Sequence, residues 1–324
     1  MPEITRTRDE ALFLSLYDLP LTVQSAAVPL PLAGLESALV SGDPVSGSIT
    51  YVARFPAGWE HTTQALEATL ELFLFEGDLA AGPTRVHQDG YVCVPQGSGT
   101  TKLTSVGGAR ALVLWNPNLP SFPPPYVGVR AVESWAEPLR SRNVENLSST
   151  YRSLRVPDFN EEGLNGGPGG FFRLSYLAPG TRSAFQHIHH CCWEEGIMLA
   201  GDLFIADRGV FAPGSYIAFP QEFWHAVLAT QTGAVMLVHT NAPMDYPWIL
   251  REYPLAEEMC ADYLRNFDLG RGHRHTPWAD TPWSEWQQRP EFQEWLAGPA
   301  SAAWDDVVGA GSAWAARSRW RWSA

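Results

Sequence analysis

Short hydrophobic runs, each of the length of a β-strand, alternate with polar turn sequences between residues 46 and 118. Turns such as Pro-Ala-Gly and Val-Gly-Gly separate the runs. The runs are Ser48–Phe55, Leu70–Leu79, Gly90–Gln96 and Ala109–Asn116. Proline-broken apolar runs in the first 45 residues are typical of edge strands or of arms that wrap a barrel. The pattern therefore predicts β-structure in this half of the chain.

The same order of segments recurs in the second half at an offset of 122 to 125 residues. The matched pairs are Ala57-Gly58 with Pro179-Gly180, Gly77-Asp78-Leu79 with Gly201-Asp202-Leu203, Tyr91–Gln96 with Tyr216–Gln221, and Leu112–Asn116 with Leu237–Asn241. Self-similarity at one offset is the signature of a repeated structural unit. The chain is therefore predicted to contain two copies of one β unit.

Only the second copy contains a cluster of residues that suits a metal ion. If His187 and His189 lie on one strand, both side chains point to the same face, while His190 points away. A turn into the next strand would bring Glu194 to the same place, and His225 follows a proline turn later in the chain. Three imidazoles and one carboxylate form a first-row transition-metal site with positions left for water, oxygen or substrate.

These residues resemble the two signature motifs of the cupin superfamily, Gly-x5-His-x-His-x(3,4)-Glu-x6-Gly and Gly-x5-Pro-x-Gly-x2-His-x3-Asn. The matching positions are His187, His189, Glu194 and Gly201 in the first motif and Gly214, Pro220 and His225 in the second. The departures are Gly180, which lies one residue too far from His187, Glu222 in place of a glycine, and Ala229 in place of an asparagine. None of the departures is a ligand position. Glu195 is the alternative carboxylate ligand if the turn is one residue tighter.

The resemblance implies an all-β fold of two tandem cupin barrels, also called double-stranded β-helices or jelly rolls. We predict an N-terminal cupin with its N-terminal arm over 1–130 and a linker over 131–170. A metal-binding cupin follows over 171–250, and a helical, tryptophan-rich extension over 251–324.

The first copy has lost the predicted ligands. Its aligned residues are Thr63, Ala65, Leu70 and Thr100. His61 and Glu71 lie near these positions and could be remnants of a site, but one histidine and one glutamate are too few ligands for a metal. We predict a structural barrel without a metal.

Strand alternation also predicts which side chains face the interior of the second barrel. The candidates for substrate contact are Phe185, Met198, Phe223, Val227 and His239. Most of them are apolar, which favours a dry pocket for a small, partly apolar ligand. His239 could instead be a buried histidine of the core.

The composition of the chain limits the kinds of partner that we expect the protein to bind. The chain has 324 residues, a net charge of −13 and a pI near 5.1, which argue against nucleic acid or an anionic membrane as a partner. The start of the chain lacks the pattern of a secretion signal, and no apolar run reaches transmembrane length. Four cysteines without a C-x2-C pattern fit a reduced compartment. We expect a cytoplasmic homodimer that acts on a small molecule.

The ligand set leads to the functional hypothesis. The divalent transition metal is expected to be iron(II), with manganese, nickel, copper or zinc as alternatives. Many cupins with this motif are dioxygenases, so the resemblance implies oxidative cleavage of a small enolisable or aromatic substrate, with Glu194 as a ligand that can act as a base. The alternatives are a redox-neutral isomerase, decarboxylase or lyase acting on a sugar acid or keto acid, and a non-enzymatic protein that binds a metal or metabolite.

Overall fold

The computed structural model describes most of the chain up to residue 250. The described residues are 6–9, 11–16, 18–23, 32–117, 128–144, 147–155, 170–177, 181–183, 185–187, 189–205, 209–223, 228–230, 233–242, 244 and 248–250. The predicted helical extension over 251–324 lies outside them.

β-Strands make up almost all of the regular structure. The strands of the N-terminal half are β1 (Leu12–Ser15), β2 (Thr22–Val23), β3 (Glu36–Gly42), β4 (Ile49–Phe55), β5 (Trp59–Thr63), β6 (Thr69–Gly77), β7 (Leu79–Ala81), β8 (Thr84–Val86), β9 (Gly90–Val94), β10 (Thr101–Ser105), β11 (Ala109–Asn116) and β12 (Arg130–Glu133). A 3-10 turn, Ser134–Ala136, follows β12. The strands of the C-terminal half are β13 (Leu139–Val144), β14 (Leu147–Ser153), β15 (Phe172–Leu177), β16 (Arg182–Ser183), β17 (Phe185–His187), β18 (Glu194–Gly201), β19 (Leu203–Ile205), β20 (Gly209–Phe211), β21 (Ser215–Phe219), β22 (Leu228–Ala229), β23 (Ala234–Thr240) and β24 (Trp248–Leu250).

The strands form two units with the same topology. One unit pairs a seven-stranded sheet, β12-β9-β6-β11-β4-β3-β2, with a four-stranded sheet, β5-β10-β7-β8. The other unit pairs β1-β21-β18-β23-β15-β14-β13 with β16-β22-β19-β20. A separate pairing joins β17 to β24. The two orders match strand for strand, so the repeat and the all-β jelly-roll architecture are confirmed.

The match extends to single residues. β6 and β18 each carry an irregularity two residues before their final glycine, where the register against β11 and β23 shifts. Glu71 lies opposite Leu114, and Glu195 lies opposite His239. The equivalent of Glu195 is therefore Glu71, and the equivalent of Glu194 is Leu70.

The two units exchange their leading strands. β1 precedes the first barrel but pairs with β21 of the second, with Leu12 opposite Ala218. β12 pairs with β9 of the first barrel, with Arg130 opposite Cys93. Each added strand supplies hydrogen bonds to a sheet edge that would otherwise be exposed. The N-terminal run is thus an arm, as predicted, but it joins the second barrel. The segment predicted as a linker instead contributes strands to both sheets.

Among the described residues, the alternation of side chains along the strands produces apolar clusters, of which three are large. The first fills the N-terminal barrel with residues such as Tyr51, Leu70, Leu72, Val92 and Val113. The second fills the C-terminal barrel with residues such as Met198, Phe211, Ile217 and Phe219. The third lies between the barrels and joins Phe73, Phe75 and Leu112 to Ile197, Leu199 and Leu237. The outer faces of the two large sheets therefore pack on each other. The described part of the chain has no helix that is long and apolar enough to cross a membrane.

One buried carboxyl in the first unit opposes folding at neutral pH. Asp89 is 1% exposed and adopts a φ of 63°, a conformation that asparagine and aspartate tolerate better than other side chains. Trp135 Nε1 donates to its Oδ2 at 3.4 Å, and no described residue donates to its Oδ1. Burial raises the pKa of Asp89 to about 7.

Asp89→Asn is expected to stabilise the protein by about 2 to 4 kcal/mol at pH 8, since about three pKa units correspond to about 4 kcal/mol. A raised pKa means that the folded state keeps the proton between pH 4 and 7, so the penalty grows as the pH rises through this window. Urea unfolding should show the gain at pH 8 and almost none at pH 4. Asp78→Asn is the contrasting control, because the backbone N–H groups of Val106 and Gly107 donate to that carboxylate. It should be destabilising, and an equal gain from Asp89→Asn at both pH values would contradict the argument.

Candidate metal centre

Two of the predicted ligands lie side by side at one end of the second barrel. Glu194 is the first residue of β18, and His189 lies at the start of the turn that leads into it. His189 is completely buried, and its Nε2 lies 3.3 Å from Oε2 of Glu194, whose side chain is 20% exposed. The turn folds the chain back so that an imidazole and a carboxylate converge at the mouth of an apolar interior.

The separation of these two atoms fits a metal site. Ligand atoms bind transition metals at about 2.1 Å, so two adjacent ligands of an octahedral ion lie about 3 Å apart. Among the described side chains, no three histidine, cysteine, aspartate or glutamate residues gather at one point. His187 is described only as the last backbone position of β17, where it pairs with Trp248. His225 lies outside the described residues.

The second motif reaches the same place through its turn. The backbone N–H of Glu222 donates to the carbonyl of His189 at 2.8 Å, which brings the turn before His225 against the His189 loop. Glu222 has a φ of 60°, which explains why the family motif has glycine at this position. His190 is exposed, as predicted, and its Nδ1 lies 2.9 Å from the Glu222 carboxylate.

The wall beside Glu194 is apolar. Phe219 lies directly opposite Glu194 in the sheet, and Phe223 stacks on Phe219 with ring centroids 5.7 Å apart. Met198 lies four residues after Glu194 on the same face of β18. It is 1% exposed and belongs to the same apolar cluster as Phe219. The side chain of Phe185 and the whole of Val227 lie outside the described residues. Met198 and Phe223 thus share the interior predicted for substrate.

The alternative ligand Glu195 faces the opposite side of β18. Arg8 Nη2 lies 3.0 Å from its Oε1, and His239 Nδ1 donates to its Oε2 at 2.7 Å. Tyr216 also donates to Oε1. Burial alone raises the pKa of Glu195, but the charge of Arg8 and the hydrogen bonds from His239 and Tyr216 outweigh it and hold that pKa well below its usual range. The geometry therefore favours Glu194, which faces the interior.

His239 corrects a prediction. It lies opposite Glu195 on the face between the barrels, where its ring packs against Trp193 at 4.9 Å and Phe172 at 5.5 Å. Burial lowers its pKa, and the nearby Arg155 lowers it further. His239 shares a face of β23 with Leu237, and that face is covered by the other barrel. We therefore remove His239 from the substrate contacts.

Glu71 in the first barrel is not the remnant of a metal site. It is the equivalent of Glu195, faces the second barrel and is completely buried. Arg155 donates to it through Nε at 2.9 Å and Nη2 at 2.5 Å, and Tyr91 and Asn116 donate as well. Burial raises the pKa of Glu71, but Arg155 outweighs this effect and the pKa is lowered.

Sequence reasoning missed Arg8 and Arg155. The repeat contains a signal for their partners, because Tyr91 aligns with Tyr216 and Glu71 aligns with Glu195 within strands that are otherwise apolar. A carboxylate kept at the same buried strand position in both copies requires a cation. The position of that cation is not visible in the sequence.

Comparisons with protein-family models and with curated proteins give no significant match. Solved structures do match. A "putative dioxygenase" from Nostoc punctiforme is 19% identical, with a TM-score of 0.57 over 72% of this chain and 83% of its own. A "putative glyoxylate induced protein" from Pseudomonas aeruginosa is 12% identical, with a TM-score of 0.52 over 79% of this chain and 94% of its own. A "cupin 2 conserved barrel domain protein" from Leptotrichia buccalis is 9% identical, with a TM-score of 0.45 over 70% of this chain and 100% of its own.

At these identities the likenesses concern the fold alone. The Nostoc punctiforme and Pseudomonas aeruginosa structures agree in fold with the repeated pair of jelly-roll units. The chain therefore has the fold of the cupin superfamily, in its two-barrel, or bicupin, form.

Proposed function

We propose that this protein is a metal-dependent bicupin enzyme, specifically an iron(II) dioxygenase that acts on a small enolisable or aromatic substrate. The observation that carries the proposal is the 3.3 Å approach of His189 Nε2 to Glu194 Oε2 at the end of an apolar barrel. His187, His189, Glu194 and His225 would hold the metal. Manganese, nickel, copper and zinc accept the same ligands.

The ligand set supports a reactive centre because it leaves coordination positions open. When bound, iron(II) supplies Lewis acidity and a place for oxygen. Glu194 lies at the rim with part of its side chain exposed, where it can take a proton from a substrate hydroxyl or α-carbon. From this position Glu194 can bind the metal and can also act as a base.

The surrounding side chains determine which substrates fit. Phe219, Phe223 and Met198 present apolar surface and exclude water from one side of the site. A small molecule that is partly apolar and binds a metal through oxygen suits this environment. The similar Nostoc punctiforme structure is itself described as a putative dioxygenase, which adds weight to oxygen chemistry in this fold. The homodimer and the cytoplasmic location remain predictions from the sequence.

His189→Ala and Glu194→Gln are expected to lose most of the bound metal, because each removes a ligand. His190→Ala is the matched control, since this neighbouring histidine is exposed and interacts with Glu222 instead. Protein reconstituted with iron(II) under anaerobic conditions and desalted should contain about one iron per chain in the wild type and in His190→Ala. Metal content by mass spectrometry is the measurement. Equal iron in all four proteins would contradict the assignment of the site.

The reaction class has a separate test. Iron-loaded wild-type protein should consume oxygen with at least one member of a panel of enols, β-diketones and catechols, and Glu194→Gln should not. Turnover of keto acids or sugar acids without oxygen uptake would overturn the dioxygenase proposal and leave the metal site intact.

A further inference from the structure

We propose that the first barrel, which lacks the metal ligands, positions the metal centre of the second barrel through Arg8 and Glu195. The inference rests on the proposed function, since it concerns the ligand role of Glu194. It assigns a role to the N-terminal arm and to a buried carboxylate that the metal site itself does not use.

The geometry of β18 places its first two residues on opposite faces. Glu194 faces the interior and its neighbour Glu195 faces the first barrel, because side chains alternate along a strand. The two residues share a peptide unit. A contact that fixes Glu195 therefore also limits the backbone position from which Glu194 reaches the metal.

Glu195 is held by side chains of the first barrel and of the N-terminal arm. Its Oε1 accepts hydrogen bonds from Ser41 Oγ at 2.8 Å and Thr50 Oγ1 at 2.9 Å, and Arg8 Nη2 lies 3.0 Å away. Ser41 and Thr50 belong to β3 and β4 of the first barrel, and Arg8 belongs to the N-terminal arm. All four side chains are at least 97% buried. The start of β18 is thus attached to the other barrel by charge-assisted hydrogen bonds, which are the strong ones.

Arg8 also contacts Trp193, the residue that precedes Glu194. The Arg8 guanidinium lies over the Trp193 ring, 4.1 Å from its centroid, which is a cation–π contact. The Trp193 backbone N–H also donates to Asn241 Oδ1 at 3.0 Å. Arg8 therefore contacts the residues immediately before and after Glu194.

Arg8 is itself held rigidly. Its backbone N–H donates to the Gly42 carbonyl at 2.9 Å, its Nε donates to Ser41 at 3.0 Å and its Nη2 donates to Thr50 at 2.6 Å. Because these partners belong to the first barrel, Arg8 fixes the start of β18 relative to that barrel. Residues that hydrogen-bond a metal ligand and orient it commonly change metal affinity by about 10-fold to 100-fold when replaced, and we expect an effect of this size from residues that fix the backbone on both sides of the ligand.

The first barrel provides an internal control. Glu71 occupies the position of Glu195 and makes an equivalent buried ion pair, with Arg155. Its neighbour Leu70 occupies the ligand position and is buried in an apolar core. Loss of the Glu71 pair should therefore cost stability without altering the metal site.

The experiment compares Glu195→Gln with Glu71→Gln in the full chain, with Co²⁺ alone as the probe. We expect Glu195→Gln to weaken Co²⁺ binding about 10-fold to 100-fold and to change the visible absorption bands of bound Co²⁺, which report ligand geometry. Glu71→Gln should leave the affinity and the spectrum unchanged. Urea unfolding of both metal-free variants should show losses of stability of similar size.

Two further variants test Arg8 without altering β18. Arg8→Met should weaken Co²⁺ binding as Glu195→Gln does, and Arg8→Lys should restore part of the affinity, because lysine keeps the charge but not the fork of donors. These variants also keep the inference testable if Glu195→Gln fails to fold.

The outcomes separate the inference from the proposed function. Wild-type protein that binds no Co²⁺ would overturn the metal site itself. Wild-type protein that binds Co²⁺, with equal affinities and spectra for the Glu195 and Glu71 variants, would overturn the positioning role and leave the site standing. Equal weakening in both variants would show a general effect of destabilisation and would also overturn it.

Discussion

Arg155→Ala is expected to lower the free energy of unfolding by about 3 to 5 kcal/mol at pH 7, because it leaves a buried carboxylate without its cation. The side chains of Arg155 and Glu71 are 1% and 0% exposed, and two hydrogen bonds join them. Arg155 also donates through Nη1 to the carbonyl of Thr240 in the second barrel at 3.1 Å. The pair lies at the contact between the barrels, so its loss should lower the stability of both units.

The measurement is urea unfolding followed by fluorescence. Arg54→Ala is the matched control, since Arg54 forms an ion pair with Glu36 on the surface at a similar distance of 3.0 Å. That exposed pair should contribute less than about 1 kcal/mol. Similar losses of unfolding free energy in the two variants would contradict the claim that burial makes the Arg155 pair the stronger one.

The effect of Arg155→Ala should also depend on pH. The pKa of Glu71 is lowered in the folded state, so the pair stabilises the protein above the ordinary pKa of a glutamate, near 4.5. This contribution is lost as the pH falls from that value through the lowered pKa. The difference between wild type and variant should therefore be full at pH 7 and smaller at pH 3.5.

Gly77→Ala and Gly201→Ala are each expected to lower the free energy of unfolding by more than about 4 kcal/mol, or to prevent folding, because a Cβ at either position would clash with backbone atoms. The added carbon would lie 2.0 Å from the Gly108 carbonyl oxygen in the first case and 1.8 Å from that of Gly233 in the second. Both glycines also have φ near +80°, which costs other residues about 1 to 2 kcal/mol.

Gly82→Ala separates the two causes. Its φ is +59°, but nothing lies within 4 Å of the added carbon. Only the conformational cost should appear, about 1 kcal/mol. Thermal unfolding of the three variants is the measurement, and equal losses in all three would show that the close approach of the backbone does not matter.

Much of this architecture can be predicted from local pattern. The segment Gly77-Asp78-Leu79 recurs as Gly201-Asp202-Leu203 because each glycine lies close to the backbone of a second glycine. The backbone N–H of Asp78 donates to the carbonyl of Gly108, and that of Asp202 donates to the carbonyl of Gly233. Strand periodicity and turn residues are local properties. They are therefore visible in the sequence, as are the positions of His189 and Glu194 in the first motif.

The sequence by itself determined that the chain contains two β units of one kind, that only the second carries the residues predicted to bind a metal, and which side chains of one strand share a face. Tertiary structure alone decided which face meets which partner. Glu194 faces an apolar interior and Glu195 meets Arg8, a residue 187 positions away, because the outer sheets of the two barrels pack together and the leading strands cross between them. Alternation along a strand shows which side chains share a face, whereas the residues that each face contacts depend on long-range packing that no local pattern encodes.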